Sequence, residues 1–218
     1  MATEGLVLLS FGAVLGVLVR FFGPEHTGER ALAETLAAHR PHWVGQTGAV
    51  LDFTLGPPGG LVSVLIVSTA ALGLGSHRIC LTGVAVFFTG WLAVTVAKVI
   101  FERPSPTSAD LHALAPLNGV DRFPSGHVAI ATSLTAAAYT VMSMSGRRRW
   151  PALAIGVPVV MIVAASRMIV GADYLANVVA APFFAVGAVL LMLAAVRSKS
   201  YETSLERDRQ QRMALLGA

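Results

Sequence analysis

The stretch ICLTGVAVFFTGWLAVTVAKVIF, residues 79–101, holds one charged residue, Lys98, in an otherwise apolar and small-residue run. About 20 mostly apolar residues suffice for a helix to cross a bilayer, so these residues read as a membrane span with one cation near its C-terminal end. Outward from it, comparable runs occur at Leu6 to Phe22, Leu61 to Gly75, Ser125 to Ser145, Pro151 to Val170 and Val178 to Val196. The run at Leu61 is short and is expected to begin nearer Leu51. The expected fold is therefore all-α, a polytopic membrane bundle of about six transmembrane helices. Residues 1–196 form one domain in this reading, 23–60 its extramembrane loop and 197–218 a charged cytoplasmic tail, frayed or independently helical. Within the loop, Ala31 to Ala38 has the pattern of a short amphipathic helix.

Composition points the same way. Hydrophobic residues make up 55% of the 218 and charged residues 13%, against roughly 45–50% and 25% in a soluble domain. The formal charge of +4 does not imply nucleic acid, because the basic residues sit at the ends of apolar runs instead of on an aromatic-interleaved surface. The single Cys80 cannot form an internal disulfide and reads as a small buried apolar residue. Glu4 stands where a signal peptide would carry positive charge, so the first run reads as a retained helix. No repeat of fixed period is visible.

With six spans, both termini share a face with the loops around Arg78 and Arg147-Arg148-Arg149. That face also collects Arg197, Lys199, Arg207, Arg209 and Arg212, whereas the other holds Arg30, Arg40, Arg103 and Arg122. The positive-inside rule then makes both termini cytoplasmic, in a bacterial-type plasma membrane, and topology suffices to explain the triple arginine. Gly12 and Gly16 have GxxxG spacing, which inside a six-helix bundle serves intramolecular packing before dimerisation.

Arg20, Lys98 and Arg167 fall within or at the ends of apolar runs. A charge facing lipid costs several kcal/mol, so each must snorkel, pair or face a polar cavity. Arg20, two residues from its helix end, reads as snorkelling. Lys98 and Arg167 lie near the ends that open on the extracytoplasmic face and call for an anion. On that face Phe123-Pro124-Ser125-Gly126-His127 turns a loop into a helix, leaving backbone N–H groups unpaired and directed outward. Such a turn suits a phosphate, with Ser125 as a further donor and His127 in the first helical turn. His39 and His42 have a metal-like spacing, but Pro41 interrupts them and they lie in another loop; no metal and no cofactor is expected.

Taken in order, Lys98 with Arg103-Pro104, then Pro124-Ser125-Gly126-His127, then Ser166-Arg167 with Asp173 and Asn177 resemble the three signatures of the PAP2 lipid-phosphatase family. The Pro-Ser-Gly-His tetrapeptide alone would arise by chance in such a chain about once in a thousand at average residue usage. The resemblance covers Ile79 to Pro182. It implies a six-helix bundle that removes phosphate from lipid phosphates or polyprenyl diphosphates at the membrane surface without a metal. It also implies roles. Lys98, Arg103, Ser125, Gly126 and Arg167 would bind phosphate, and His127 would protonate the leaving oxygen. A histidine of the third signature would attack phosphorus, oriented by an aspartate.

This sequence departs from the pattern at those last two positions. After five intervening residues from Arg167, Asp173 stands where the pattern has the nucleophilic histidine, and Asn177, after three more, stands where it has the aspartate. Seven residues after Lys98 there is Ser105 instead of arginine, and Arg103 is the candidate substitute clamp. An ionised carboxylate is a poor nucleophile toward a phosphate anion without a metal to screen the repulsion. Pairing of Asp173 with Arg167 or Lys98 instead neutralises the pocket. Two readings follow. The first is a PAP2-family membrane protein with lost or strongly reduced phosphatase activity, retained for lipid-phosphate binding or assembly. The alternative is a divergent metal-independent lipid phosphatase using Asp173 or an activated water with His127 as general acid.

Overall fold

The computed structural model describes residues 1–41, 50, 54, 56–73, 77–103 and 123–216. Among them the chain forms seven helices and no strand: α1 Ala2–His26, α2 Glu29–Ala38, α3 Pro57–Gly73, α4 His77–Phe101, α5 Gly126–Met144, α6 Trp150–Ile169 and α7 Leu175–Leu216. Each expected span has its helix, and the amphipathic segment of the first loop is α2. Ser105, Arg122 and His42 lie outside the described residues.

Among the described residues, four helices are long and apolar enough to cross a membrane on their own: α1, α4, α6 and the Leu175–Lys199 part of α7. The other two differ for separate reasons. Helix α3, at 17 residues, has little length beyond its apolar core. Helix α5 is the central helix, with Val128 to Ser133, Ala137 and Val141 all buried, so much of its surface faces protein and has no need of lipid-compatible side chains. Around it, the apolar outer surface includes Phe21, Val99, Trp150 and Met161, all exposed, which suits hydrocarbon and not water.

The most extensive packing is α1 against α7 and α4 against α5. Small residues make the first of these close. A Cβ built on Gly5 would lie 2.8 Å from the Gly187 carbonyl oxygen, and one on Gly12 would lie 3.1 Å from the Phe184 ring. The expected intramolecular use of Gly12 is therefore the observed one. Gly16 meets the ring of Phe101 on α4 in the same way. Cys80 is buried beside Val141, and Arg20 is exposed at its helix end.

Beneath one end of the bundle, Phe101, Phe123 and Phe184 form an aromatic trio with centroid separations of 5.4, 6.4 and 6.0 Å, within the usual range for interacting rings. Val94, Ala97, Val128, Val163 and Ala181 join them in one core cluster. This is a firm floor for the polar groups above it. Helical geometry in α7 continues without interruption through the charged tail to Leu216. At 1.5 Å per residue its 42 residues span about 63 Å, twice the roughly 30 Å of hydrocarbon, so only its apolar first part can lie in the bilayer.

Candidate functional site

The C-terminal ends of α4 and α6 and the N-terminal ends of α5 and α7 meet at one end of the bundle, and the residues assigned from the sequence to phosphate binding or catalysis lie there. The turn between α6 and α7 does most of the positioning. Gly171 takes φ +77, a conformation open to glycine and costly for other residues. With it, the Gly171 N–H reaches the Met168 carbonyl at 3.0 Å and the Ala172 N–H the Arg167 carbonyl at 3.0 Å. This is the paired capping pattern of a Schellman turn, and it folds the chain back so that Asp173 returns onto Arg167.

Asp173 is 3% exposed, Arg167 5% and Ser125 fully buried. The carboxylate Oδ2 of Asp173 accepts from Arg167 Nε at 3.2 Å and from the Ser125 hydroxyl at 2.9 Å. Ser125 precedes α5 but its side chain does not cap that helix, because it is turned to Asp173. Its backbone N–H is also committed, donating to the Asn177 carbonyl at 2.9 Å. The expected set of outward-directed amides at this turn is therefore smaller by one.

Asn177 links two charged groups. Its Oδ1 accepts from Arg103 at 2.9 Å, and its Nδ2 donates to Asp173 Oδ1 at 3.3 Å. Guanidinium is a donor only and an ionised carboxylate an acceptor only, so a buried group bridging them must offer one of each, which an amide does. The two departures from the family pattern are thus physically coupled. A histidine at 173 with an aspartate at 177 runs donor to acceptor, whereas Asp173 with Asn177 runs the same hydrogen bond in reverse.

Arg103 is not a surface arginine. It is 2% exposed, lies 5.1 Å from the centroid of the Tyr174 ring, and pairs with Glu29 at 2.5 Å. Glu29, on α2, is the residue that sequence reasoning missed. It is itself buried, accepting the Ala176 N–H at 2.7 Å and the Thr27 hydroxyl at 3.0 Å. Tyr174 was also overlooked. Lys98 and His127 are half-buried at the edge of the cluster, and a Cβ on Gly126 would stand 3.6 Å from Lys98 Cε. All eight candidate catalytic and phosphate-binding residues are thereby at one end of the bundle, and five of them, Arg103, Ser125, Arg167, Asp173 and Asn177, share one buried network with Glu29.

Chemically, this network pairs two arginines with two carboxylates supplied by the chain itself. Charge within it is balanced, which offsets the several kcal/mol that an unpaired buried ion would cost. The described residues contain no group of three or more metal-binding side chains.

The sequence profile of the PAP2 superfamily matches residues 61–201, and the chain belongs to that superfamily. Among solved structures, it is similar to a transmembrane PAP2 type phosphatidylglycerolphosphate phosphatase from Bacillus subtilis, with 19% sequence identity and a TM-score of 0.71 over 90% of this chain and 96% of that one. At that identity the likeness is one of fold. No curated protein matches the sequence.

Proposed function

We propose that this chain is a PAP2-fold membrane protein that has lost phosphatase turnover, or kept very little, and serves to bind a lipid phosphate or to take part in an assembly. One observation carries the reading: Asp173, at the position of the attacking histidine, is buried and bonded to Ser125 and Arg167. A neutral imidazole approaches a phosphate anion without electrostatic penalty, and a carboxylate does not. Here the carboxylate also occupies donors that would otherwise stabilise charge on a transferring phosphoryl group. Lys98, Gly126 and His127, at the rim, are the groups that favour a phosphate-bearing headgroup, with Arg167, Ser125 and Arg103 behind them. The orientation that goes with this reading has both termini cytoplasmic and the site extracytoplasmic, in a plasma membrane, on the strength of the positive-inside bias.

The test is release of inorganic phosphate from a panel of lipid phosphates and polyprenyl diphosphates. It compares wild type, His127→Ala, and the double variant Asp173→His with Asn177→Asp. Wild-type rates at background are expected. Turnover by the wild type that disappears in His127→Ala would overturn the proposal in favour of a divergent phosphatase. Activity gained only in the double variant would mean that the pocket is intact and lacks its nucleophile.

A further inference from the structure

Helix α2 is short, amphipathic and outside the apolar spans, yet its first residue, Glu29, reaches the centre of the site. The Glu29 carboxylate collects three donors from three parts of the chain: Arg103 after α4, the Ala176 N–H at the start of α7, and Thr27 beside it. Farther along the same helix, Ala33 is buried against Tyr174, the ring over which Arg103 lies. The cleft between α2 and residues Met168 to Leu175 has no space for a water molecule. So α2 closes this side of the cluster.

Two features make the closure reversible in principle. Gly23, at φ +69, kinks α1 ahead of its last three residues, and Gly28, at φ +74, joins α1 to α2; a Cβ at either would meet nothing within 4 Å. No buried side chain packs on these glycines, whose left-handed conformation would strain a larger residue, and the Arg30–Glu25 ion pair that spans the joint is exposed, where water can replace it. The second feature is Arg103. Its Nη atoms are held by Glu29 and Asn177, but its buried Nε has no hydrogen-bond partner. A guanidinium presents its donors as a fork suited to two oxygens of one phosphate, and one donor on this fork is unused while Glu29 holds another.

We infer that α2 is a lid latched by Glu29, whose carboxylate stands on Arg103 in place of a ligand oxyanion, so that a phosphate monoester headgroup gains Arg103 by displacing it. This rests on the proposed lipid-phosphate site and specifies its regulation. The lid is shut by an internal anion and opened by an external one of higher charge. Differential affinity drives the change, since the headgroup binds the open state and Glu29 stabilises the closed one.

Cysteine accessibility tests this with the full chain in nanodiscs, where both faces are reachable. In a Cys80→Ala background, Ala33→Cys places a thiol under the lid, and an uncharged PEG-linked maleimide reports its exposure. In phosphatidylcholine nanodiscs labelling is expected to be slow, and Glu29→Gln to speed it by at least about tenfold, since removal of one partner leaves the other buried charge unpaired. Dioleoyl phosphatidic acid is expected to accelerate labelling of the parent several-fold, whereas phosphatidylserine, anionic but without a phosphate monoester, leaves it slow. A Glu29→Gln protein that stays monodisperse and labels at the parent rate overturns the latch. A parent unaffected by phosphatidic acid, or equally affected by phosphatidylserine, overturns displacement by a headgroup, and this arm holds even if Glu29→Gln does not fold. Phosphate release enters neither readout, so an active wild type would refute the proposed function without deciding the lid.

Discussion

At the scale of single residues, the exchange of hydrogen-bond direction between positions 173 and 177 is the most informative feature. Arg103 fixes the Asn177 amide with its oxygen inward, so the amide nitrogen faces Asp173. Asn177→Asp places two buried carboxylates against each other and is expected to destabilise the protein. The same substitution made together with Asp173→His is expected to cost less, by a coupling of about 0.5–3 kcal/mol, the range for residues in one network. Denaturant or thermal unfolding in detergent micelles, run as a double-mutant cycle, measures this; additive effects would mean that the 173–177 contact carries no energy. Asp173 and Asn177 were readable from sequence as departures from a pattern. Glu29 was not, because 74 residues separate it from Arg103 and 147 from Ala176. Nothing in the local sequence distinguishes Glu29 from any other acidic residue at a helix start.

Between elements, the joint of α1 with α7 depends on the absence of side chains at particular positions. A Cβ on Gly187 would lie 2.9 Å from the Gly5 carbonyl oxygen and 3.1 Å from the Leu9 backbone nitrogen, and backbone on both sides cannot yield without moving the helices. Gly187→Val is therefore expected to lower stability by about 1–3 kcal/mol, as overpacking typically does. Gly16→Ala should be milder, since its neighbour is a side chain, the half-buried ring of Phe101, and not backbone. Melting temperatures of the two variants in one detergent check the order, and a Gly16→Ala loss as large as that of Gly187→Val would contradict it. The spacing of Gly12 and Gly16 announced close packing without naming the partner. That information lies in Phe184 and Phe101, on two different helices.

For the whole molecule, the ends of α4 and α6 and the starts of α5 and α7 coincide, so a site distributed over 80 residues of sequence becomes one cluster at one membrane surface. The basic residues of the opposite end set its proposed orientation. A cysteine at Asn118, which lies outside the described residues, in the Cys80→Ala background is expected to react with a membrane-impermeant reagent in intact cells. Reaction only after the membrane is breached would reverse the orientation.

The sequence by itself determined the membrane solvent, the helix positions and the superfamily, because apolar runs and a short motif are local properties that the bilayer and the backbone read directly. It also marked Asp173 and Asn177 as the two positions where the chain departs from the signature it resembles. Only the tertiary structure decided what fills that place. The partners of Asp173 and Arg103 are chosen by burial, which forces every charge to find its complement from whatever segment the fold brings near. Here that segment was the first loop, whose Glu29 closes a network no linear spacing encodes.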